Sequence, residues 1–169
     1  MTMTPKDILL AIAPNSRGFG FALFVTAARL VDWGIKEARR NKNEQCMALA
    51  AALIARWRPT VILLEDCFEQ TCHRSARVRM LLTALTDLAN DQGIAVYYYS
   101  RRQVRGVLAK SGKSKDAIAA VVADSVPALR PWLPRKRRIW DSEQHSIAIF
   151  DAAALALTHY AHSNDGLHR

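Results

Sequence analysis

The continuous apolar run VILLE, at positions 61–65, is the feature that most limits the folds open to this chain. A strand with apolar side chains on both sides is typical of a parallel sheet whose two faces are covered by helices. The flanking segments 44–58 and 74–91 agree, because their apolar residues repeat with helical spacing. Pro59 ends the first segment and Gly93 closes the second. The sequence therefore predicts an α/β fold with VILLE as a central strand.

The rest of the chain supplies further strands and helices in one unit. Strands are predicted at 8–13, 19–25, 30–36 and 94–99, the first three joined by short turns as a meander. Helices are predicted at 101–108, 115–126 and 143–162, and the Pro- and Arg-rich segment 127–138 is predicted to be an irregular loop. Because there is no internal repeat or linker, 1–162 is predicted to be a single domain and 163–169 a C-terminal tail.

Basic residues are clustered along the chain. The sequence has 24 Lys and Arg against 15 Asp and Glu, a formal charge of +9. Scattered lysines would be explained by solubility alone, whereas discrete runs indicate a polyanionic partner. The runs are Arg74, Arg77 and Arg79; Arg101, Arg102, Arg105, Lys110, Lys113 and Lys115; and Arg130, Arg135, Lys136, Arg137 and Arg138.

The cysteines and the N-terminal region indicate where such a protein acts. Cys46, Cys67 and Cys72 are odd in number and lack the spacing of a zinc site, so reduced thiols are predicted. The first apolar stretch is broken by Pro14 well before it reaches membrane-spanning length. A cytoplasmic protein without a secretory signal or membrane segment is therefore expected.

Two carboxylates have settings that suggest a site. Glu65 ends the VILLE strand, and open α/β sheets place their sites at this end of their strands. Because an α-helix turns by about 100° per residue, Asp151 lies just beside the apolar stripe of the last predicted helix. Taken singly, Glu65 is as well explained by a strand emerging into water, and Asp151 by a solvated stripe. Together they make half of a divalent metal site, because Mg²⁺ takes oxygen ligands.

Motifs along almost the whole chain occur in a recognisable order. They are I-A-P-N-S-R at 12–17, VILLE at 61–65, R-Q-V-R at 102–105 and D-A-A-A-L-A-L-T-H at 151–159. In this order they resemble the first-strand turn I-D-P-G-S-R, the acid-bearing strand, the R-Q-V-K segment and the terminal helix D-A-L-A-I-A-I-T-H of the RuvC Holliday junction resolvases. The resemblance implies a ribonuclease H-like fold, with a five-stranded mixed sheet flanked by helices on both faces. It also implies a homodimer that cleaves branched DNA with Mg²⁺ or Mn²⁺.

The resemblance also places the metal-binding acids of the family. Two of them fall on Glu65 and Asp151, which are the expected metal ligands. The first-strand aspartate falls on Ala13, and the aspartate three residues before the last falls on Ala148. Magnesium is therefore expected to bind weakly or not at all, and cleavage is expected to be impaired.

Nearby polar residues offer incomplete substitutes for the missing acids. Gln144 shares the helix face of Asp151, while His145 is rotated away if the helix has already begun there. Asp66 points to the opposite face of its strand from Glu65.

Position 13 has two explanations. Either an acid at this position was replaced deliberately, to keep DNA binding while stopping cleavage, or the natural protein lost the acid and became a binding module. Ala148 favours the second, because one engineered change does not account for both positions.

The same resemblance implies a DNA-binding surface. Lys113 and Lys115 are also expected to stabilise developing phosphate charge in an active relative. Phe68 is expected to stack on unpaired bases, while for Trp132 and Trp140 packing within the protein is at least as good an explanation. The expected nucleic-acid contacts are Arg17, Phe68, Arg74, Arg77, Arg105, Lys110, Lys113 and Lys115.

Several functions remain open from sequence. The first is a RuvC-like protein that binds branched DNA, with metal-dependent endonuclease activity in its active form. The others are a catalytically inactive nucleic-acid-binding or interaction module and an RNA-directed member of the superfamily. The helix 74–91 corresponds to the segment that pairs resolvase subunits, although its leucine stripe is equally explained by packing on the sheet.

Overall fold

A meander of antiparallel strands opens the chain and parallel strands complete its sheet. The structure is a computed structural model that describes residues 7–68, 72–110, 112–135 and 145–165. The strands are β1 (Leu9–Pro14), β2 (Gly18–Thr26), β3 (Arg29–Glu37), β4 (Val61–Glu65) and β5 (Ala95–Tyr99). The helices are α1 (Lys42–Trp57), α2 (Ala76–Asp91), α3 (Arg101–Leu108), α4 (Lys115–Ser125) and α5 (Ile147–Asp165), with a 3₁₀ helix at Pro127–Trp132.

The sheet is mixed, with β1 at its centre. Its order is β3-β2-β1-β4-β5, and β4 pairs in parallel with both β1 and β5. The parallel pairing sets Ala11 opposite Leu63, so continuing the register brings position 13 level with Glu65. The antiparallel pairing sets Ala13 opposite Gly20. The predicted α/β class and five-stranded mixed sheet are confirmed.

Each face of the sheet carries its own hydrophobic core. Leu9, Ala11 and Leu63 pack on the face covered by α3, α4 and α5. The alternate residues Leu10 and Ile62 pack on the face covered by α1 and α2. Since successive side chains of a strand point to opposite faces, a strand buried on both sides needs an unbroken apolar run. This requirement explains VILLE, whose first four residues are all buried.

Local signals fix where the helices begin. Ser75 caps α2, its side chain accepting a hydrogen bond from the backbone N–H of Val78. The helix therefore starts at Ala76, slightly later than predicted. Ser100 caps α3 in a capping box with Gln103, as its sequence position indicates. The predicted start of the last helix at 143 lies outside the described residues, and α5 begins at Ile147 in the part that is described.

The segment 127–138 is more regular than predicted. Pro127–Trp132 forms a 3₁₀ helix rather than an irregular loop. Proline at the first position fixes a φ angle suited to a helical turn, and Leu129 is fully buried in the core below α5. The prediction of an irregular loop is therefore wrong for this half of the segment, while positions 136–138 lie outside the described residues.

The cysteines differ from the sequence prediction. Cys67 and Cys72 form a disulfide, with their Cα atoms 5.1 Å apart. Cys67 follows β4 and Cys72 precedes α2, and the separation of their Cα atoms is within the usual range for a disulfide. Only the third residue matches the predicted free thiol: Cys46 is buried, and burial raises its pKa.

Within the described ranges, no helix has the length and apolar character needed to cross a membrane.

Candidate nucleic-acid interface

A cavity of about 380 Å³ opens at the carboxyl ends of β1 and β4. Helices α3, α4 and α5 complete its wall on the same side of the sheet. The charged residues that line it are Glu65, Arg74, Arg101, Arg105, Lys113, Lys115 and Asp151. The structure thus brings together two carboxylates and a basic cluster from distant parts of the sequence.

Ala13 forms part of the cavity wall at the end of β1. The residue is only 5% exposed, and it packs in the same core as Leu9 and Ala11. The turn that follows is closed by a hydrogen bond from the Asn15 backbone N–H to the Gly18 carbonyl, 3.0 Å long. An uncharged methyl therefore occupies the position to which the family resemblance assigns an acid.

Glu65 is held by arginines from two helix starts. Arg74, next to the cap of α2, donates from Nε to Oε2 of Glu65 at 2.8 Å. Arg101, the first residue of α3, has its Nε 3.8 Å from Oε1. The Glu65 side chain is 13% exposed, so water screens the close Arg74 pair less than it would at the surface.

Asp151 is held by the first residue of α4. The Lys115 ammonium lies 3.4 Å from Oδ2 of Asp151, and both side chains are about one quarter exposed. Ser114 caps the same helix by accepting a hydrogen bond from the Ala117 backbone N–H. The cap fixes the start of α4 at Lys115, and both Ser114 and Lys115 line the cavity.

These residues do not fit the two-metal site that the resemblance implies. Within the described part of the chain, no three His, Cys, Asp or Glu side chains cluster as metal ligands. Glu65 and Asp151 are each paired with a cation of the protein itself. The arginine and lysine in these pairs would repel an incoming Mg²⁺. The ion also requires an octahedral shell of oxygen ligands, which these residues do not supply.

Ala148 lies in the sheet–helix interface. It is 1% exposed, and a Cβ built on Gly20 would fall 2.7 Å from its own Cβ. Helix α5 therefore packs directly on β2 at this point. Ala148 is not among the residues that line the cavity.

His145 and Asp66, the other described residues that were candidates to replace the missing acids, do not line the cavity. The carbonyl of His145 accepts a hydrogen bond from the Ala148 N–H, which places it at the entry to α5. Asp66 accepts at Oδ1 from the Phe68 N–H, 3.0 Å away, and lines the adjoining groove rather than the cavity. Gln144 lies outside the described residues.

A wider groove of about 880 Å³ adjoins the cavity. It shares Glu65 with the cavity and extends along α3 to Arg102 and to His73 before α2. The basic side chains common to both are Arg74, Arg101, Arg105 and Lys113. The result is a continuous basic surface that begins above the two carboxylates.

Arg74, Arg105, Lys113 and Lys115, expected to contact DNA, lie in the cavity. Arg17 and Lys110, which were also expected to contact DNA, are exposed and do not line the cavity.

Arg77 and Phe68, also expected to contact DNA, lie elsewhere. Arg77 donates to the carbonyl of Asn15 at 2.9 Å, so it also braces the turn after Ala13. Phe68 is 70% exposed and meets the ring of Tyr98 edge to face.

Two aromatic residues bear on the stacking predictions. Trp132 is about half exposed at the end of the 3₁₀ helix, and Trp140 lies outside the described residues.

Tyr99 lines the cavity, and its hydroxyl is 2.7 Å from Nδ1 of His159. Burial lowers the pKa of His159 and raises the pKa of Tyr99. The neutral imidazole is therefore favoured beside the Tyr99 hydroxyl, and its tautomer decides which of the two groups donates the hydrogen bond.

Arg101 is the site residue that sequence reasoning missed. The sequence places it in a basic run without assigning it to the site. The recognised cap at Ser100 is a usable signal, because it fixes Arg101 as the first residue of a helix that follows β5. Since β5 is parallel to β4, that helix starts beside Glu65.

A mixed sheet of this order, with helices on both faces and acids at the ends of β4 and on α5, defines a ribonuclease H-like fold. Comparison of the structure with solved proteins narrows the class further. RuvC of Thermus thermophilus in complex with a Holliday junction substrate is similar over 95% of this chain and 96% of its own, with a TM-score of 0.70 and 22% identity. The predicted resemblance to RuvC resolvases is thus confirmed at the level of the fold.

Two further resolvases are also similar. The yeast mitochondrial Holliday junction resolvase matches 97% of this chain and 82% of its own, with a TM-score of 0.64 and 16% identity. Fowlpox virus resolvase with its Holliday junction DNA matches 91% and 99%, with a TM-score of 0.56 and 12% identity. No family model and no curated protein sequence matches the chain.

Proposed function

We propose that this chain is a RuvC-like protein that binds branched DNA of the Holliday junction type, with impaired cleavage. The observation that carries the proposal is the continuous basic surface of the cavity and groove, which begins at Glu65 and Asp151. The similar structures support the substrate class, because the Thermus thermophilus and fowlpox virus proteins are described with Holliday junction DNA.

Binding follows from the charges of the described residues. Arg105, Lys113 and Lys115 approach the phosphate backbone and release condensed counterions, which provides affinity without sequence preference. Arg101 and Arg102 extend the contact along the groove. Affinity of this origin falls steeply as the salt concentration rises.

Cleavage is impaired because the residues present do not hold a pair of metal ions. In the resolvase family, Mg²⁺ or Mn²⁺ supplies the activation of water and the stabilisation of phosphate charge. Here Ala13 provides no ligand, and Glu65 and Asp151 are engaged by Arg74 and Lys115. These ion pairs favour the alternative of a catalytically inactive binding module over an active nuclease.

The remaining parts of the proposal concern assembly and location. A homodimer through α2 is supported by Met80, which is 67% exposed on the side of the helix away from the sheet. A cytoplasmic location stays a prediction from the sequence.

The test compares a four-way DNA junction, duplex DNA and duplex RNA of matched sequence by fluorescence anisotropy. We expect preferential binding of the junction, weakened by Arg105→Ala. Arg29→Ala is the matched control, because Arg29 is exposed at the start of β3, at the opposite end of the sheet from the cavity. Equal affinity for the junction and the duplex would overturn the junction proposal, and preference for RNA would favour the RNA-directed alternative.

A further inference from the structure

We propose that the cavity at Ala13 is a metal-independent anion site that takes one phosphate group of the DNA backbone. Arg74 and Lys115 form ion pairs with Glu65 and Asp151, the two acids that the family resemblance assigns as metal ligands. The identity of the phosphate as part of branched DNA rests on the proposed function, whereas the anion site itself rests on the geometry of the cavity.

The charge of the cavity has the sign required for an anion. Among the described residues, five cationic side chains line it against the carboxylates of Glu65 and Asp151, leaving a net charge of +3. A divalent cation would have to displace Arg74 and Lys115 and would then face the remaining cations. A phosphate meets attraction from the same groups.

Arg74 is oriented for a second acceptor. Its bond to Glu65 uses the N–H on Nε, and a guanidinium carries five N–H donors in a planar fork. In the described part of the structure Arg74 has no acceptor other than Glu65. The terminal nitrogens therefore remain for a phosphate oxygen, and Glu65 acts to position the arginine. Arginine suits this role because its fork matches the geometry of phosphate.

The start of α4 adds to the positive potential. This 11-residue helix begins at Lys115, and both Lys115 and its cap Ser114 line the cavity. A helix N-terminus carries partial positive charge and favours anions. The helix start and the lysine therefore act on the same small volume.

Ala13 completes the site by leaving it uncharged on the sheet side. A carboxylate at this position would repel a phosphate and would add a third acid beside Glu65 and Asp151. The methyl group instead leaves room for the anion in a cavity of about 380 Å³. The same substitution that removes a metal ligand thus favours direct phosphate binding.

The test measures inorganic phosphate and Mn²⁺ binding separately on the full chain. We expect the wild-type protein to bind phosphate in EDTA, detected by ³¹P line broadening. In a separate buffer without EDTA, we expect it to leave Mn²⁺ free in electron paramagnetic resonance titrations. Arg74→Gln should weaken phosphate binding by about tenfold, since a charge-assisted hydrogen bond is lost. The control Arg29→Gln should leave it unchanged.

A second variant keeps the test valid if Arg74→Gln is unstable. Ala13→Asp should weaken phosphate binding and acquire affinity for Mn²⁺. Stoichiometric Mn²⁺ binding by the wild type, or phosphate binding that is unaffected by both variants, would overturn the anion site.

Junction binding separates this inference from the proposed function. Junction affinity should be the same within about twofold in EDTA and in Mg²⁺, because no metal bridges the protein to phosphate. Junction affinity that required Mg²⁺ would overturn the anion site and leave the proposed function intact. If the protein bound phosphate but showed no preference for the junction, the proposed function would be overturned and the anion site would stand.

Discussion

Ala148 packs directly against Gly20, so the first turn of α5 touches β2 without an intervening side chain. A Cβ at position 20 would lie 2.7 Å from the Ala148 Cβ and closer still to its carbonyl group. Gly20 is also the partner of Ala13 in the β1–β2 ladder. Small residues on three elements, Ala13 on β1, Gly20 on β2 and Ala148 on α5, thus allow α5 to pack closely on the sheet next to the cavity.

Gly20→Ala should destabilise the protein by about 1–3 kcal/mol, because the added methyl group meets backbone atoms that cannot rotate away. Urea denaturation measures the change. Gly106→Ala is the matched control: it lies in α3, where an added Cβ would meet no other atom within 4 Å, so it should be neutral or stabilising by up to about 1 kcal/mol. Equal stability of the two variants would show that α5 does not pack on β2 in this way.

Ala148→Asp should unfold or strongly destabilise the protein, while Ala13→Asp should remain folded. Both positions are buried, but Ala148 faces packed backbone whereas Ala13 borders the cavity beside Arg74 and Arg101. A buried charge without a partner is costly, and a paired one much less so. Thermal denaturation of the two variants measures the difference. A well-folded Ala148→Asp protein that gained Mn²⁺ affinity would contradict the placement of Ala148.

The fold was predictable because its signals are local. The VILLE run, the breaks at Pro59 and Gly93, and the alternation of strands with helices follow from periods that any window of the sequence displays. The cap at Ser100 was equally readable, since it depends on neighbours only three residues away.

The state of the site was not predictable, because it depends on contacts between elements. Arg74 follows Glu65 by nine positions, yet their ion pair depends on how the start of α2 is placed beside the end of β4. The helical spacing around Asp151 shows that Ala148 shares its helix, but not that Ala148 meets Gly20. The disulfide likewise joins a residue after β4, Cys67, to a residue before α2, Cys72, and the spacing of the cysteines in the sequence did not indicate it.

Replacement of Arg105, Lys113 and Lys115 together by Ala should weaken DNA binding across sequences. Each lost phosphate contact should reduce the slope of log affinity against log salt by roughly 1, so the slope should fall by roughly 3. Anisotropy titrations over a range of salt concentrations give the slope. The control is Arg29→Ala with Arg56→Ala, two exposed residues away from the cavity. An unchanged slope in the triple variant would place the DNA elsewhere, for example along 135–138.

The pair formed by Tyr99 and His159 predicts how stability depends on pH. Burial lowers the pKa of His159 below its ordinary value of 6.5, and the charge of His162 acts in the same direction against that of Asp7. Below about pH 6.5 the unfolded chain therefore takes up a proton at this residue that the folded chain resists. Stability is unaffected by His159 above this pH and is lost as the pH falls below it.

Urea denaturation at about pH 7.5 and about pH 5.5 tests this sign. The wild type should lose more stability on acidification than His159→Gln, whose amide can donate or accept a hydrogen bond with the Tyr99 hydroxyl. The exposed residue His162 supplies the control, because His162→Gln should keep most of the pH dependence. A His159→Gln protein with undiminished acid sensitivity would assign that sensitivity to other groups. The His159 imidazole would then not be the group that resists protonation beside Tyr99.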